Sequence, residues 1–387
     1  MEYLSRILII AASISLIWRR GIIYPHSLLP FEILIIMAAG LTLFSLTVVK
    51  KEKLLLGAKI LAALLILFTI GLTAAFLQFG LVHPDIPKGL FLDYYFLLTA
   101  GLAFLLIIYY NDQNFTKNIL WAFLAPLLLA PFLWLPQLTA LWQITYAGRF
   151  LGFHPSSTVF ASYLLISLII LTVFFIKAAL WSKKFIYWLG LIFLLALAFW
   201  TLSRALWLAF LVALPFIILI NKKSLTFNLA MTVLAILAAF QFLPLETKTD
   251  VWLRAFPRPL SADTERLTIW RQALKLIAGH PLGLGLEYYR FTKEIKAGGQ
   301  EAGAHNTFFN IVLAGGWLAL LAFLFFIYKV SQNLKNNFDQ SGEWLILSAG
   351  WLGLLTIMLV DDRFLVPWFW IIAGLALSYR AQIKYFH

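Results

Sequence analysis

Residues 307–328, TFFNIVLAGGWLALLAFLFFIY, decide the fold, because these 22 consecutive residues contain no charged side chain. An apolar helix needs about 20 residues to cross a bilayer. Similar runs recur through the 387-residue chain, of which 62% is hydrophobic and only 12% is charged. This composition excludes a soluble globular enzyme, a disordered chain and an outer-membrane barrel, whose strands alternate apolar and polar residues. We therefore expect an all-α, polytopic integral membrane protein.

The apolar runs predict about twelve transmembrane helices. The chain has no cysteine, which excludes a disulfide or thiolate-metal scaffold. No cleavable signal peptide is expected, because no small-residue cleavage site follows the first run, which Arg19 and Arg20 cut short. The predicted spans are Leu4–Trp18, Phe31–Val49, Leu54–Val82, Leu90–Tyr110, Ile119–Leu135, Thr158–Ile176, Phe185–Trp200, Ala205–Ile220, Leu225–Leu243, Thr307–Tyr328, Trp344–Val360 and Phe364–Tyr379.

The chain carries a surplus of positive charge, with 30 Lys and Arg against 17 Asp and Glu and a net charge of +13. Two explanations compete: cytoplasmic loops that follow the positive-inside rule, and an anionic ligand. With the N-terminus inside, the short inner loops and tails hold 14 Lys or Arg residues and the short outer loops hold 6. We therefore expect a multi-pass protein with both termini in the cytoplasm. Lysine predominates inside and arginine outside, so the outward arginines still need an explanation.

One long hydrophilic loop, residues 244–306, interrupts the spans and lies on the outer side in this topology. Sixteen of its 63 residues are charged, and a hydrophilic insert of this length is usually functional or disordered. The loop divides the chain into three parts. These are about nine N-terminal transmembrane helices in residues 1–243, a periplasmic loop subdomain in residues 244–306, and about three C-terminal helices in residues 307–387.

Within this loop the sequence predicts an amphipathic helix that lies along the outer membrane surface. Asp263 suits the N-cap, Gly279 suits the position after the helix, and Pro281 blocks any continuation. The loop is therefore expected to be ordered. The apolar face of this helix is predicted to consist of Leu267, Trp270, Leu274 and Ile277.

Four outward segments combine arginine or histidine with the ends of predicted helices, and their representatives are Arg149, Arg204, Arg266 and His305. Ordinary structural roles compete with functional ones: a snorkelling end residue for Arg204, a solvated helix face for Arg266, and a structural loop histidine for His305. Against the first of these, Arg204 lies on the side that positive charge normally avoids. His305, in turn, directly precedes an apolar span.

The chemistry of these residue types favours an anionic substrate at the membrane surface. Arginine is always charged, and its planar guanidinium binds phosphate oxygens in a bidentate manner. A histidine near its usual pKa of about 6.5 can remove a proton from an attacking hydroxyl. Together they suit transfer of a sugar chain from a polyprenyl diphosphate to an acceptor hydroxyl, with arginines stabilising the departing diphosphate. The sequence contains no acidic cluster with the spacing of metal ligands, and we expect no metal and no other cofactor.

The same segments resemble the O-antigen ligase and polymerase superfamily of bacterial envelope enzymes. The matching pieces follow the family's order over roughly residues 149–329. Ser156 is a departure, because the family commonly has Asn after the preceding proline. The pieces are Arg149-x-x-Gly152 with His154-Pro155, Thr201-x-Ser203-Arg204, Arg266-Leu-Thr-Ile-Trp270, His280-Pro281-Leu-Gly283-Leu-Gly285, and His305-Asn306 followed by Gly315-Gly316.

This resemblance implies transfer of an oligosaccharide from undecaprenyl diphosphate at the periplasmic face of the bacterial inner membrane, without a metal. It implies that Arg204 and Arg266 hold the diphosphate, with Arg149 and Arg290 as neighbours. It also implies that His305 acts as a base or orients the acceptor hydroxyl. The expected partners are the undecaprenyl-diphosphate-linked glycan donor, a glycan or lipid A–core acceptor and the lipid bilayer, but no nucleic acid.

Three acceptors stay open: lipid A–core for a ligase, another lipid-linked repeat for a polymerase, and a protein Ser or Thr for an oligosaccharyltransferase. The last is disfavoured because the chain ends soon after its last predicted helix, and we favour the ligase. A polysaccharide transporter or flippase is the rival from another class. Transporters place charged residues at mid-membrane and often show inverted repeats, whereas Glu32, Lys59 and Asp93 lie near span ends. A non-catalytic receptor or scaffold is the third alternative.

Overall fold

The structure is a computed structural model that describes most of the chain. The predicted span Leu225–Leu243 and the motif residues His154 and Arg290 lie outside the described residues. The described ranges are 2–15, 30–43, 51–79, 86–134, 145–146, 149–150, 157–201, 203–220, 260–286, 296–297, 300–301, 304–339, 341–361 and 366–380.

These ranges form twelve helices and four two-residue strands, so the part of the chain that the structure describes is predominantly helical, as predicted. The strands pair in two antiparallel ladders, one between residues 145 and 150 and the other between residues 296 and 301. In chain order the elements are α1 (Glu2–Ser15), α2 (Pro30–Leu43), α3 (Lys51–Phe79), α4 (Ile86–Tyr110), α5 (Gln113–Trp134), β1 (Thr145–Tyr146), β2 (Arg149–Phe150), α6 (Ser157–Lys177), α7 (Trp181–Trp200), α8 (Arg204–Ile220), α9 (Leu260–Gly279), β3 (Lys296–Ala297), β4 (Gln300–Glu301), α10 (Thr307–Asn336), α11 (Gly342–Met358) and α12 (Pro367–Ser378).

Eleven of these helices coincide with predicted spans, and α9 occupies the predicted outer loop. Four shorter apolar helices accompany the longer ones: Ile33–Thr42, Ala205–Leu214, Gly342–Met358 and Pro367–Ser378. A helical membrane protein is thereby confirmed, whereas the number of spans and the side of the loop stay predictions. Five of the described helices are long and apolar enough to cross a membrane. They are Lys53–Gln78, Asp93–Tyr110, Val159–Lys177, Trp181–Phe199 and Thr307–Asn336.

Contacts near the start of α11 define one end of the helix bundle. The ring centroid of Trp344, near the start of α11, lies 5.9 Å from that of Phe216, near the end of α8. Because these two helices also pack against each other extensively, they run antiparallel. Glu343 forms an ion pair with Lys117 of α5 at 3.6 Å. We call this end, with Lys117 and Glu343, the lysine end. The first residue of α8 and the last turn of α11 therefore lie together at the opposite end.

Helix α12 is a core element rather than a lipid-exposed span. All of its residues are buried, and it contacts α4, α10 and α11. Trp370 stacks on Phe326 of α10 with centroids 5.4 Å apart, and Phe369 stacks on Trp351 of α11 at 5.6 Å. Its 12 residues extend about 18 Å, short of the roughly 30 Å of bilayer hydrocarbon. The predicted span 364–379 is thus a shorter helix surrounded by other helices.

A polar network joins α3, α10 and α12 at the lysine end. Asn333 donates through Nδ2 to the carbonyls of Ala376 at 2.8 Å and Tyr379 at 3.0 Å. Lys53 Nζ donates to Asn333 Oδ1 at 3.0 Å, and Tyr379 Oη donates to Asp339 Oδ2 at 2.6 Å. These bonds hold the helix ends together at this end.

Candidate functional site

His305 has a strained backbone at the point where the chain enters α10. Its φ is +48°, the only positive value at a non-glycine residue in the described ranges. This left-handed conformation costs an ordinary residue about 1–2 kcal/mol and persists only where the surrounding structure enforces it. The His305 side chain is exposed, whereas Ala304 and Asn306 on either side of it are buried. The imidazole is therefore presented outward from a constrained backbone.

Asn306 and Thr307 fix the chain on the C-terminal side of His305. Asn306 is the N-cap of α10, and its Oδ1 accepts from the N–H groups of residues 308 and 309 at 2.9 and 3.1 Å. Its Nδ2 donates to Leu359 O at 2.7 Å. Thr307 Oγ1 donates to Asp361 O at 2.9 Å. The start of α10 is thereby tied to the chain that leaves α11.

Ala304 fixes the chain on the N-terminal side of His305, because both of its peptide groups are bonded to side chains. Its N–H donates to Asn310 Oδ1 at 3.2 Å. Its carbonyl accepts from Trp270 Nε1 of α9 at 3.0 Å. The Trp270 ring also meets the Phe309 ring edge-on, with centroids 5.8 Å apart. Sequence reasoning placed Trp270 on the apolar face of α9 but gave it no contact near His305.

Helix α9 exists as predicted, but its start and its buried face differ from the prediction. It begins at residue 260 rather than after Asp263, and its last residue is Gly279, which was expected just after the helix. Leu267 and Leu274, predicted on the apolar face, are half exposed. Both possible faces of α9 are apolar, so the sequence could not decide which one packs on α10. The buried face consists of Ile269, Ala273, Leu276 and Ile277.

After Gly279 the chain turns back onto α10, and we call residues 280–286 the return segment. Gly283 and Gly285 have φ values of +85° and +84°, which glycine adopts without the steric cost that a Cβ atom imposes. Gly283 N donates to His280 O at 2.9 Å and closes the turn. The two motif glycines therefore shape a backbone path.

Helix α10 is broken at Gly316, whose φ of +72° and ψ of −173° are not helical. In an unbroken helix Leu313 O would accept from the N–H of Trp317, four residues further along. Instead, Trp317 N donates to Pro281 O at 3.3 Å, and Leu313 O accepts from Leu284 N at 2.6 Å. The return segment thus replaces hydrogen bonds that the break removes. Such replacement is required wherever a backbone is screened from water.

A glycine on α3 makes room for this arrangement. A Cβ atom on Gly71 would stand 2.2 Å from Ala314 O and 3.0 Å from Leu282 O. Gly285 N donates to the same Ala314 carbonyl at 2.9 Å. Three backbones, those of α3, the return segment and α10, therefore meet at one point. The sequence motifs mark the glycines of the last two, but an isolated glycine in a long apolar helix such as α3 carries no comparable signal.

Thr201 and Ser203 complete the tight turn between α7 and α8, and both are buried. Thr201 Oγ1 donates to Ala198 O at 2.7 Å and accepts from Ser203 N at 3.3 Å. Ser203 Oγ accepts from Leu206 N at 3.4 Å, in the manner of an N-cap. The two polar residues of this motif thus serve the turn, and Arg204 follows as the first residue of α8.

Helix directions bring the backbones of Arg204 and His305 to the same end of the bundle. The first residue of α8 lies at the end opposite the lysine end, together with the last turn of α11. The chain leaving α11 accepts the hydrogen bonds of Asn306 and Thr307. Arg266 belongs to the same assembly, because it lies one helical turn before Trp270, which bonds to Ala304.

The remaining candidate arginines are placed less fully. Arg149 lies in β2, and this strand contacts α7, the helix that leads into the Thr201 turn. The side chains of Arg149, Arg204 and Arg266, and the whole of Arg290, lie outside what the structure describes. Among the described residues, no three His, Asp or Glu side chains are grouped as metal ligands would be. The roles of the four arginines and of His305, and independence of a metal, stay predictions.

A comparison with protein families matches residues 189–324 to a family described as O-Antigen ligase. The matched stretch begins within α7, includes α8, α9 and the return segment, and ends within α10. It contains Arg204, Arg266, Arg290 and His305, whereas Arg149 precedes it. A search of curated proteins found no match. The resemblance inferred from the motifs is confirmed over residues 189–324, which are similar to the O-antigen ligase family.

Proposed function

We propose that the protein is an O-antigen ligase-like glycan transferase. It moves an oligosaccharide or polysaccharide from undecaprenyl diphosphate to an acceptor hydroxyl at the periplasmic face of the inner membrane, without a metal. The observation that carries this proposal is the strained, exposed His305 at the start of α10, within a stretch that matches the O-antigen ligase family. Backbone strain of this kind clusters at active sites, where the surrounding structure enforces it.

In the proposed reaction His305 acts as the general base. The acceptor oxygen attacks the anomeric carbon of the donor sugar, the bond from that carbon to the diphosphate oxygen breaks, and the acceptor proton passes to the imidazole. A neutral imidazole can accept this proton from the attacking hydroxyl. Its exposed position leaves room for an acceptor to approach.

The departing diphosphate is the other charged group of the reaction, and we assign its stabilisation to Arg204 and Arg266. Guanidinium groups bind phosphate oxygens in a bidentate manner and stabilise negative charge as it develops. The positions of both backbones on the His305 side of the bundle support this assignment. Arg149 and Arg290 are proposed as neighbours that contact the donor.

In this proposal the lysine end faces the cytoplasm and the His305 end faces the periplasm. The positive-inside rule supports this orientation, because Lys53, Lys117 and Lys177 all lie towards the lysine end. It places both termini in the cytoplasm and residues 244–306 outside, between about nine and about three spans. The described part of that loop packs against α3 and α10, which argues for a subdomain anchored on the membrane helices.

The hydrogen bonds at the lysine end favour a transferase over a transporter or flippase. Alternating access requires a path that opens to both sides of the membrane in turn. Here Asn333 bonds to the end of α12, and Lys53 of α3 bonds to Asn333. A transport cycle that separates these three helices would have to break these bonds, whereas a transferase that acts from one side would leave them intact.

Reconstitution of the purified protein in liposomes tests the function directly. The donor is an undecaprenyl-diphosphate-linked glycan, EDTA is present throughout, and lipid A–core, lipid-linked repeats or no acceptor is added in turn. We expect product only with lipid A–core, seen as a shift in size on a gel. Elongation of the lipid-linked repeats would instead identify a polymerase. Movement of the donor across the bilayer without a new glycosidic bond would identify a flippase, and loss of product with EDTA would contradict metal independence.

Substitution of Arg204 by lysine tests the bidentate grip on the diphosphate. Lysine keeps the positive charge but lacks the planar pair of donors, so we expect transfer to fall about 10- to 100-fold, as for loss of one charge-assisted hydrogen bond. Initial rates at varied donor concentration measure the effect. Arg271→Lys is the matched control, since Arg271 is exposed on α9 and no role is assigned to it. Equal rates for Arg204→Lys and the wild type would reduce Arg204 to a simple positive anchor.

A further inference from the structure

Trp270 bonds to the peptide unit that precedes His305. Its indole N–H donates to Ala304 O at 3.0 Å, and that carbonyl belongs to the peptide bond joining Ala304 to His305. The orientation of this peptide plane defines φ of His305, which stands at +48°. A hydrogen bond that holds the plane therefore also holds the direction in which the imidazole leaves the backbone.

The bond is set in a packed environment that leaves little freedom. Ala304 is fully buried, and its N–H is bonded to Asn310 on the other side. The Trp270 ring packs edge-on against Phe309, a contact worth about 0.5–1.5 kcal/mol beyond burial. Trp270 thus forms a rigid contact between α9 and the first turn of α10.

Trp270 also links His305 to Arg266, because Arg266 and Trp270 belong to the same helix, α9. Arg266 precedes Trp270 by four residues on α9, which is about one helical turn. We propose that Trp270 is a positioning residue that orients His305 and sets its distance from Arg266. This inference rests on the proposed function, in which His305 is the base and Arg266 holds the diphosphate.

The geometry of the proposed reaction explains why this contact of Trp270 matters. The base must meet the acceptor hydroxyl on one side of the anomeric carbon while the arginine meets the leaving diphosphate on the other. A displacement of about 1 Å between such groups can cost about 100-fold in rate. The two groups belong to different helices, and the Trp270–Ala304 bond joins those helices next to His305.

Substitution of Trp270 by phenylalanine tests this role. The variant keeps an aromatic ring against Phe309 but loses the N–H donor. We expect kcat to fall about 10- to 100-fold while the KM for the lipid-linked donor and the yield of folded protein stay at wild-type values. Trp317→Phe is the control, because Trp317 is half exposed on α10 and its side chain has no assigned role; its kinetics should match the wild type.

A second variant covers the case in which Trp270→Phe fails to fold. Asn310→Leu removes the bond to the Ala304 N–H with little change in volume, and it should reproduce the fall in kcat at unchanged donor KM. A wild-type kcat for Trp270→Phe, or equal losses in kcat and in donor binding, would overturn the positioning role. That result differs from failure of the proposed function, in which the wild-type protein itself would transfer no glycan or His305 variants would stay active.

Discussion

Substitution of His305 by asparagine is expected to abolish glycan transfer while the protein still inserts and accumulates. Asparagine tolerates the left-handed region better than most residues, so it preserves the backbone at φ +48° and removes only the imidazole. Loss of a general base typically lowers the rate about 100- to 10,000-fold. The measurement is the initial rate of transfer in proteoliposomes with saturating donor and acceptor, divided by the amount of folded protein.

Two companion variants separate the base from the backbone. His305→Ala removes the imidazole and is expected to be equally inactive. His280→Asn removes a histidine from the nearby return segment, to which no chemical role is assigned, and should retain transfer. Near-normal activity of His305→Asn together with an inactive His305→Ala would mean that the backbone conformation matters and the imidazole does not. Near-normal activity of both would contradict the assignment of His305 altogether.

The second large effect is expected from Gly71→Ala on α3, far from the proposed chemistry in sequence. The added Cβ atom would stand 2.2 Å from Ala314 O, so the backbone of α10 or of α3 must move. Overpacking of this kind costs about 1–3 kcal/mol or more, and a shift of about 1 Å at His305 costs about 100-fold in rate. We therefore expect both a lower thermal stability in detergent and a severe loss of transfer.

Gly40→Ala supplies the matched control for this experiment. Gly40 also lies within an apolar helix, α2, but a Cβ atom there would meet nothing within 4 Å. Alanine favours helix over glycine by about 1 kcal/mol, so this variant should be at least as stable as the wild type and fully active. Thermal unfolding of the two variants side by side measures the difference. If Gly71→Ala behaved like Gly40→Ala, the three backbones could not be in contact.

The helices themselves were largely predictable, because uncharged runs of sufficient length leave few alternatives in a membrane. The break in α10 was not. Residues 307–328 contain no charged side chain, and from the sequence Gly315 and Gly316 stand out only as part of a family motif. Only the return segment explains the break, since its N–H groups replace the lost helical donors. Hydrogen bonds between two segments that are distant in the sequence produce no periodic pattern of apolar residues in either segment. The sequence alone therefore does not reveal them.

Which apolar surface is buried was also beyond the sequence. Helix α12 is apolar on all sides and proves to be enclosed by other helices, yet the same composition would suit a helix in contact with lipid. In α9 the predicted stripe and the observed one share Trp270 and Ile277, but Leu267 and Leu274 of the prediction are half exposed. The Arg and His candidates, by contrast, were predicted from residue type and position, and their roles stay predictions. The structure adds the hydrogen bonds that fix the backbone on both sides of His305.

The meeting of α3, the return segment and α10 limits how this enzyme can be recombined with its relatives. The segment between α8 and α10 cannot be exchanged on its own, because its return segment completes the hydrogen bonding of α10 and packs closely against Gly71 of α3. A loop from another protein would have to bring glycines that match both the break at Gly316 and the groove on α3. The segment and the two helices that contact it, α3 and α10, must therefore be exchanged together.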